Sequence, residues 1–359
     1  MDVPGGQRAR WGSLTLASMW LPTVDISAEW SARFARVSEF LQETLTTSMV
    51  TLWTTAPLLG VAVYIYLFVC VASLRAVLAI YLVFCIVDPR PYDGVGRRVP
   101  IIRRLPLWQH VGAYFQPKMV FEAPLDAQNK YVFGSHPHGV ASYVSQLVGG
   151  CTGMGIEAHF PGLVVRGVTM PATFCIPLFR DYALAMGCLS CDRNSIRRIL
   201  GDRHHSLHQS LLVVVGGAEE SMLAHEGSAD LVLLKRMGFV REAIRAGCDL
   251  VPIYNFSENA IYKLVPNPPG SLVHRFEMAV RNAFGFTILL FHGRNLFFTP
   301  YRTKLVSVVG TPIPVRQNHD PSNEEVSHYH RIYVEELTRL YRKYKPKYAP
   351  AARDIQFVA

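Results

Sequence analysis

Two imidazoles stand on either side of a proline in the run Tyr131-Val132-Phe133-Gly134-Ser135-His136-Pro137-His138-Gly139-Val140. Histidine titrates near pH 6.5, so either ring could take a proton from a hydroxyl at neutral pH and return it. A His-x-His pair also occurs as a structural or surface feature, so chemistry here needs further polar groups. Several are available. Leu211-Val215 runs into Gly216-Gly217-Ala218-Glu219-Glu220, where paired glycines let the backbone turn sharply and approach a ligand, and either Glu220 or Glu219 could orient an imidazole or a substrate hydroxyl. Pro177-Leu178-Phe179-Arg180 offers a guanidinium fork that suits a phosphate or carboxylate, although Asp181 beside it could equally neutralise it. Arg236 opens a helical stretch that leads to Leu250-Val251-Pro252-Ile253-Tyr254-Asn255-Phe256, after which Glu258 and Asn259 follow at a strand end.

Such groups must be held by a framework, and the pattern from Tyr131 onward predicts one. Short β-branched runs at Tyr131-Phe133, Leu163-Val168, Leu211-Val215, Leu250-Tyr254, Ile288-Phe291 and Leu305-Val309 read as strands. Longer helical stretches alternate with them, as at Lys235 to Ala246, where Gly247 supplies a left-handed cap, and at Asn323 to Lys345, closed by Pro346. That alternation predicts an α/β domain with a mostly parallel sheet covered on both faces. In such sheets reactive groups gather beyond the carboxyl ends of the strands, where the two histidines fall.

Upstream, Thr51 to Val87 is an apolar tract interrupted only by Pro57, Gly60, Ser73 and Arg75, longer than the roughly 20 residues one membrane helix needs. A single tilted span ending near Ala72 would fit, but a hairpin turning at Ser73 to Ala76 fits better, because the 12 residues from Ala76 to Val87 are too few to cross alone. Before it, Trp30, Phe34, Val37, Leu41 and Leu45 recur at helical spacing and suit either a membrane surface or a core. The abruptly basic stretch that follows, with Arg90, Arg97, Arg98, Arg103 and Arg104, predicts a cytoplasmic placement for the rest. The expected organisation is therefore residues 1–50 as an N-terminal region, 51–87 as a membrane hairpin, 88–345 as the α/β domain and 346–359 as a tail.

The 359 residues are 50% hydrophobic and only 18% charged, and Lys and Arg outnumber Asp and Glu by 36 to 27. That balance suits an anionic lipid surface or a phosphate-rich ligand, and with no zinc-finger spacing or basic-aromatic signature, no nucleic-acid partner is expected. The seven cysteines, an odd number in mostly apolar surroundings, predict reduced thiols, and Cys188-x-x-Cys191 lacks the second pair a zinc site needs. Residues 1–7 carry no positive charge and Pro22 and Asp25 interrupt the first apolar run, so no cleavable signal is expected.

In order along the chain stand Phe133-Gly134-x-His136-Pro137-His138-Gly139, Pro177-x-x-Arg180, Val215-Gly216-Gly217-x-x-Glu220 and Arg236-x-Gly238-Phe239. Val251-Pro252, Phe256-x-Glu258-Asn259 and Val309-Gly310-x-Pro312-Ile313-x-Val315 follow. Over roughly residues 50 to 345 this series resembles the type-2 diacylglycerol acyltransferases and their monoacylglycerol and wax-alcohol relatives. One departure is an extra glutamine in Tyr114-Phe115-Gln116-Pro117, where the family usually has Tyr-Phe-Pro. The resemblance implies a glycerolipid-acyltransferase-like α/β domain that moves a fatty acyl group from acyl-CoA to diacylglycerol, making triacylglycerol at the endoplasmic reticulum membrane or a lipid-droplet surface. It implies acyl-CoA as co-substrate, no metal and no bound prosthetic group, with membrane lipids as surroundings; a homo-oligomer is compatible with it.

The residues agree with that chemistry, since a thioester is already activated and the enzyme need only remove the hydroxyl proton, stabilise an oxyanion and exclude water. His136 is the expected base, with His138 the close second choice and Gly139 shaping the turn. Related glycerolipid acyltransferases pair a histidine with an aspartate four residues on, but position 140 is Val140, so Glu220 or Glu219 must supply the orienting carboxylate. Arg180 and Arg236 are expected to receive the phosphates of coenzyme A, and Gly216, Gly217, Glu258 and Asn259 to line the substrate site. Three alternatives stand: the same transfer to monoacylglycerol or a long-chain alcohol, an inactive lipid-binding membrane protein, and a metallohydrolase using His136, His138, His204 and His205.

Overall fold

Alternation of apolar side chains along short β-branched runs sends neighbours to opposite faces of a sheet, and the computed structural model of the chain places them so. It describes residues 28–151, 154–201, 209–266, 268–284, 289–294 and 298–358. Its strands are β1 (Lys118–Phe121), β2 (Tyr131–His136), β3 (Val164–Thr169), β4 (Leu189–Ser190), β5 (Gln209–Val214), β6 (Asp230–Leu231), β7 (Asp249–Phe256), β8 (Lys263–Leu264), β9 (Phe291–His292), β10 (Val306–Val309) and β11 (Gln356–Phe357). Seven form one sheet in the order β1-β10-β7-β2-β5-β3-β4. From β7 to β4 every pairing is parallel, and only β10 runs antiparallel to β7, with β1 parallel to β10 at the edge. The α/β, mostly parallel architecture is thus as expected.

The helices are α1 (Ala28–Cys70), α2 (Arg75–Val87), α3 (Pro100–Arg103), α4 (Leu107–Phe115), α5 (Tyr143–Gly150), α6 (Ile156–His159), α7 (Phe179–Met186), α8 (Arg193–Leu200), α9 (Gly217–Ser221), α10 (Gly238–Ala246), α11 (Leu272–Phe284) and α12 (Asn323–Tyr348). Val132 on β2, Leu211 on β5 and Leu250 and Tyr254 on β7 bury against α8, α10 and α12. Their neighbours Phe133, Leu212, Val251 and Ile253 bury on the other face with Trp108 and Val111 of α4 and Val144, Leu147 and Val148 of α5. Both faces are therefore covered, which is why β2 and β7 read as nearly unbroken apolar runs.

Beyond shifts of one to three residues at other element ends, three expectations differ. β2 does not stop at Phe133 but continues to His136, because β5 and β7 satisfy its backbone on both sides. The run expected at Ile288-Phe291 contributes only Phe291–His292 to a separate antiparallel ribbon with β8, and Ile288 lies outside the described residues. Pro346 does not close α12; it sits in the final turn, where it forfeits a single backbone bond. The inserted Gln116 follows α4 in the left-handed conformation (φ 44°) and caps that helix.

Residues 1–45 and 46–359 form two compact units. In the first, described from residue 28, the chain is helical and Val37, Phe40 and Leu41 are exposed; the side chains of Trp30 and Phe34 lie outside the described residues. In the second, Val50 and Trp53 of α1 enter the core beside α4 and α5. Beyond them the chain reverses through Val71 to Leu74 and returns as α2, with the Tyr64 hydroxyl donating to the Leu78 carbonyl at 2.7 Å. Arg75 opens α2 and its guanidinium caps α1 by donating to the carbonyls of Phe68 and Val69, so the charge inside the apolar tract belongs to the turn. Val37–Cys70 is long and apolar enough to cross a membrane, and only 17% of its most apolar window is buried inside the protein, which sets it apart from a core helix.

Candidate active site

β2 lies between β5 and β7, all three parallel, so their carboxyl ends open at one edge of the sheet. Three departing segments meet there: the turn after His136, the Gly216 to Glu220 stretch after β5 and the Ser257 to Asn259 stretch after β7. The first turns through a cis His136–Pro137 peptide and a left-handed Gly139 (φ 64°). On it the half-buried His138 places Nδ1 2.9 Å from the Gly139 carbonyl oxygen. A carbonyl only accepts, so Nδ1 carries the proton and Nε2 holds the lone pair. Nε2 has no hydrogen-bond partner among the described residues. Burial holds the His138 pKa below its ordinary value, against an opposing pull from the Gly139 carbonyl, so the ring is neutral near pH 7.

Two buried carboxyls grip the turn from either side. Glu220 accepts the His138 backbone N–H on Oε1 and the Val232 N–H on Oε2, both at 2.7 Å. Burial pushes its pKa to about 7 despite those bonds. It reaches this position by folding back over Gly216, where a Cβ would lie 2.2 Å from its Oε2. The left-handed Gly217 (φ 62°) begins that reversal. Glu258 accepts the N–H groups of Tyr143 at 3.1 Å and Val144 at 2.8 Å, capping the first turn of α5, and burial pushes its pKa to about 8. It passes so close to Gly139 that a Cβ there would lie 2.4 Å from its Cγ. Glu220 therefore orients His138 through the backbone and not through the ring.

His136 occupies a different place from the one expected. It is the last residue of β2, faces α12 and is fully buried. The Tyr333 hydroxyl lies 3.0 Å from both the His136 Nε2 and the Gly134 carbonyl oxygen. Its one proton goes to the carbonyl, so His136 Nε2–H donates to the hydroxyl oxygen, and Nδ1 is left buried without a partner. Desolvation pushes the His136 pKa down to about 3. A ring with no exposed edge and its Nε2 engaged braces the strand end, whereas His138 is half-buried.

Other expected groups are also placed apart from the imidazoles. Glu219 pairs at the surface with Lys235 (2.8 Å) and Arg236 (3.1 Å), so it is not the orienting carboxylate. Asn259 is buried and donates to the Ser228 carbonyl and hydroxyl at 3.2 Å, tying the stretch after β7 to the one after β5. Arg180 is the clearest correction. Its guanidinium is fully buried, pairs with Asp88 at 2.7 Å just past α2, donates to the Phe174 carbonyl at 3.1 Å and stacks over Phe84. It is not open to a coenzyme phosphate; it fastens the return arm of the hairpin to the sheet domain. Asp181 lies 3.9 Å from the same guanidinium, as the sequence allowed, and also meets Arg97 and the Tyr81 hydroxyl. Arg180→Ala would strand the Asp88 carboxylate in the interior, at a cost of about 3–5 kcal/mol. The expected result is a marked fall in thermal stability and membrane protein level with the acyl-CoA KM of the folded remainder unchanged; a KM rise at normal stability would restore the phosphate role.

Sequence reading missed the supports below the turn. Ser307 donates to Asn255 Oδ1 (2.8 Å), Asn255 Nδ2 to Ser135 Oγ (2.7 Å), and Ser135 Oγ meets Ser145 Oγ (2.8 Å), a buried polar row that fixes β10, β7, β2 and α5 in register. Polar residues inside otherwise apolar strands were the available signal. Gly134 was another: a Cβ there would lie 2.0 Å from the Tyr333 hydroxyl. Also unforeseen is an aromatic wall that links the first residues of α5 to α1, with Tyr143 against Trp53 (5.0 Å between centroids) and Tyr262 (5.8 Å).

No group of three His, Cys, Asp or Glu side chains among the described residues is arranged to hold a metal ion, and His204 and His205 lie outside them. The described cysteines are all free thiols, Cys188 and Cys191 included. Residues 65–358 match the family profile described as diacylglycerol acyltransferase. Diacylglycerol O-acyltransferase 2B of Umbelopsis ramanniana is 36% identical over 329 residues, 89% of this chain and 93% of that protein. Diacylglycerol O-acyltransferase 2 of Dictyostelium discoideum is 36% identical over 74% of this chain and 81% of its own. The 2-acylglycerol O-acyltransferase 1 of Bos taurus is 35% identical over 75% and 81%.

Proposed function

We propose, given that the chain belongs to the diacylglycerol acyltransferase family, that it forms triacylglycerol by passing a fatty acyl group from acyl-CoA to the free hydroxyl of diacylglycerol, with His138 as the base. Membership makes it an O-acyltransferase acting on glycerolipids; the acceptor and the residue roles are the proposal. The observation that carries the roles is the locked tautomer of His138, whose Nδ1–H is held by its own turn while Nε2 has no partner among the described residues. In this reading Nε2 draws the proton from the acceptor hydroxyl as its oxygen attacks the thioester carbonyl, and the protonated ring then returns that proton to the departing CoA thiolate. Proton and leaving group balance without a metal.

The apolar tract supports a lipid-borne acceptor. A diglyceride cannot leave the bilayer cheaply, at roughly 0.8 kcal/mol for each CH₂ exposed. Trp53, midway along α1, packs against Tyr143, five residues from His138, a contact that supports approach of the acceptor along the hairpin. The basic stretch after α2 supports a cytosolic sheet domain at the endoplasmic reticulum membrane or a lipid-droplet surface, although Arg97, Arg98 and Arg103 are paired within the fold. The test is product analysis with radiolabelled oleoyl-CoA and purified full-length protein, offering diacylglycerol, monoacylglycerol and hexadecanol in competition. Labelled triacylglycerol as the dominant product is expected; dominant wax ester or diacylglycerol would move the acceptor to an alcohol or monoacylglycerol.

A further inference from the structure

The stretches after β5 and β7 also line an open cavity of roughly 600 Å³, within the size range of small-ligand sites. Met222, Leu223 and Val232 form one wall, and Pro266, Met278 and Arg281 belong to the other. His136, His138 and Glu258 are not part of this lining, but Glu219 adjoins Glu220 in the chain and Val232 donates its N–H to Glu220. Glu220 makes the link concrete, since the carboxylate that accepts the Val232 N–H of the wall also accepts the His138 N–H of the turn.

We propose that this cavity is the binding site of the acyl-CoA donor, a proposal that rests on the acyl-transfer reading above. Its walls are mostly apolar, as an acyl chain and pantetheine arm require, yet its charged groups are unbalanced. Glu219 on the lining is already met by Lys235 and Arg236, and Arg281 adds a further cation across the opening. The Arg236 Nε is buried without a hydrogen-bond partner. A neutral diglyceride has no use for that excess of positive charge, whereas the phosphates of coenzyme A do. Arg236 thus returns through its pairing with Glu219 of the lining, and Arg281, absent from the sequence reading, lines the cavity itself.

Equilibrium binding of oleoyl-CoA to the purified full-length protein tests this, with Arg281→Ala to remove the charge and Met278→Trp to fill the chamber. Both variants are expected to raise Kd, Arg281→Ala by about tenfold. Oleoyl-pantetheine, which lacks the nucleotide phosphates, should lose the Arg281→Ala effect and keep that of Met278→Trp. Wild-type binding by both variants would overturn the cavity assignment, as would a rise in diacylglycerol KM with oleoyl-CoA affinity unmoved. Failure of the wild type itself to bind oleoyl-CoA would instead bring down the acyl-transfer reading.

Discussion

His138→Ala is expected to lower turnover by about 10²–10⁴-fold, the range over which a positioned general base acts. Protein level should hold, because the ring is half-buried and its hydrogen bond among the described residues is to its own neighbour's carbonyl, a bond worth only about 0.5–1.5 kcal/mol. Oleoyl-CoA binding should also hold, since the imidazole acts on the acceptor hydroxyl and not on the nucleotide. Loss of turnover with retained binding therefore separates a chemical role from a structural one. His136→Ala is expected to behave in the opposite way: it removes a buried ring from the space between β2 and Tyr333, so stability falls first. The pair is read by single-turnover rates and thermal unfolding on equal amounts of purified protein. Turnover at the wild-type rate in His138→Ala would remove it as the base.

The second large effect is expected at a residue with no reactive group. Gly139→Ala places a methyl 2.4 Å from the Glu258 Cγ and 2.5 Å from its Oε1, at a φ of 64°. The left-handed backbone costs an L-residue about 1–2 kcal/mol. The larger effect is displacement of the carboxyl from the Tyr143 and Val144 N–H groups, because a buried donor left unsatisfied costs about 1–3 kcal/mol. The turn carrying His138 then loses its brace on the β7 side while the Glu220 grip remains. A fall in melting temperature together with at least a hundredfold loss of turnover is expected, since catalysis tolerates only small displacements of the base. The two changes share one cause, so combining Gly139→Ala with Glu258→Ala should cost much less than the sum of the single effects. Additive losses, or a Gly139→Ala enzyme that melts and turns over as wild type, would disconnect this glycine from the carboxyl beneath it.

How far the letters alone could reach depended on the physics behind each feature. The central strands were readable because β-branched runs buried on both faces leave a strong local signal, and Gly247 was readable because only a left-handed residue could end α10 so soon before β7. The gathering of His138, Glu220 and Glu258 followed from their placement after strands and the rule that sites open at strand ends. What each carboxyl grips was not readable. Glu220 and Glu219 are neighbours of one type, and only the tertiary fold turns the first inward to two backbone N–H groups and the second outward to Lys235 and Arg236. Arg180 misled for a related reason: a guanidinium that suits a phosphate suits a buried aspartate equally well, and Asp88 lies 92 residues away in the chain. Choosing between His136 and His138 required knowing where β2 ends, and strand ends are set by neighbouring strands that no local window contains.

Diethyl pyrocarbonate, which acylates an unprotonated imidazole nitrogen that it can reach, addresses the central assignment most directly when peptide mapping follows modification and residual turnover together on the folded full-length enzyme. With Nε2 of the half-buried His138 unpaired among the described residues and His136 fully buried, acylation of His138 should track the loss of triacylglycerol synthesis while His136 stays unmodified. Full activity with His138 acylated, or activity lost in step with His136 while His138 is untouched, would contradict it.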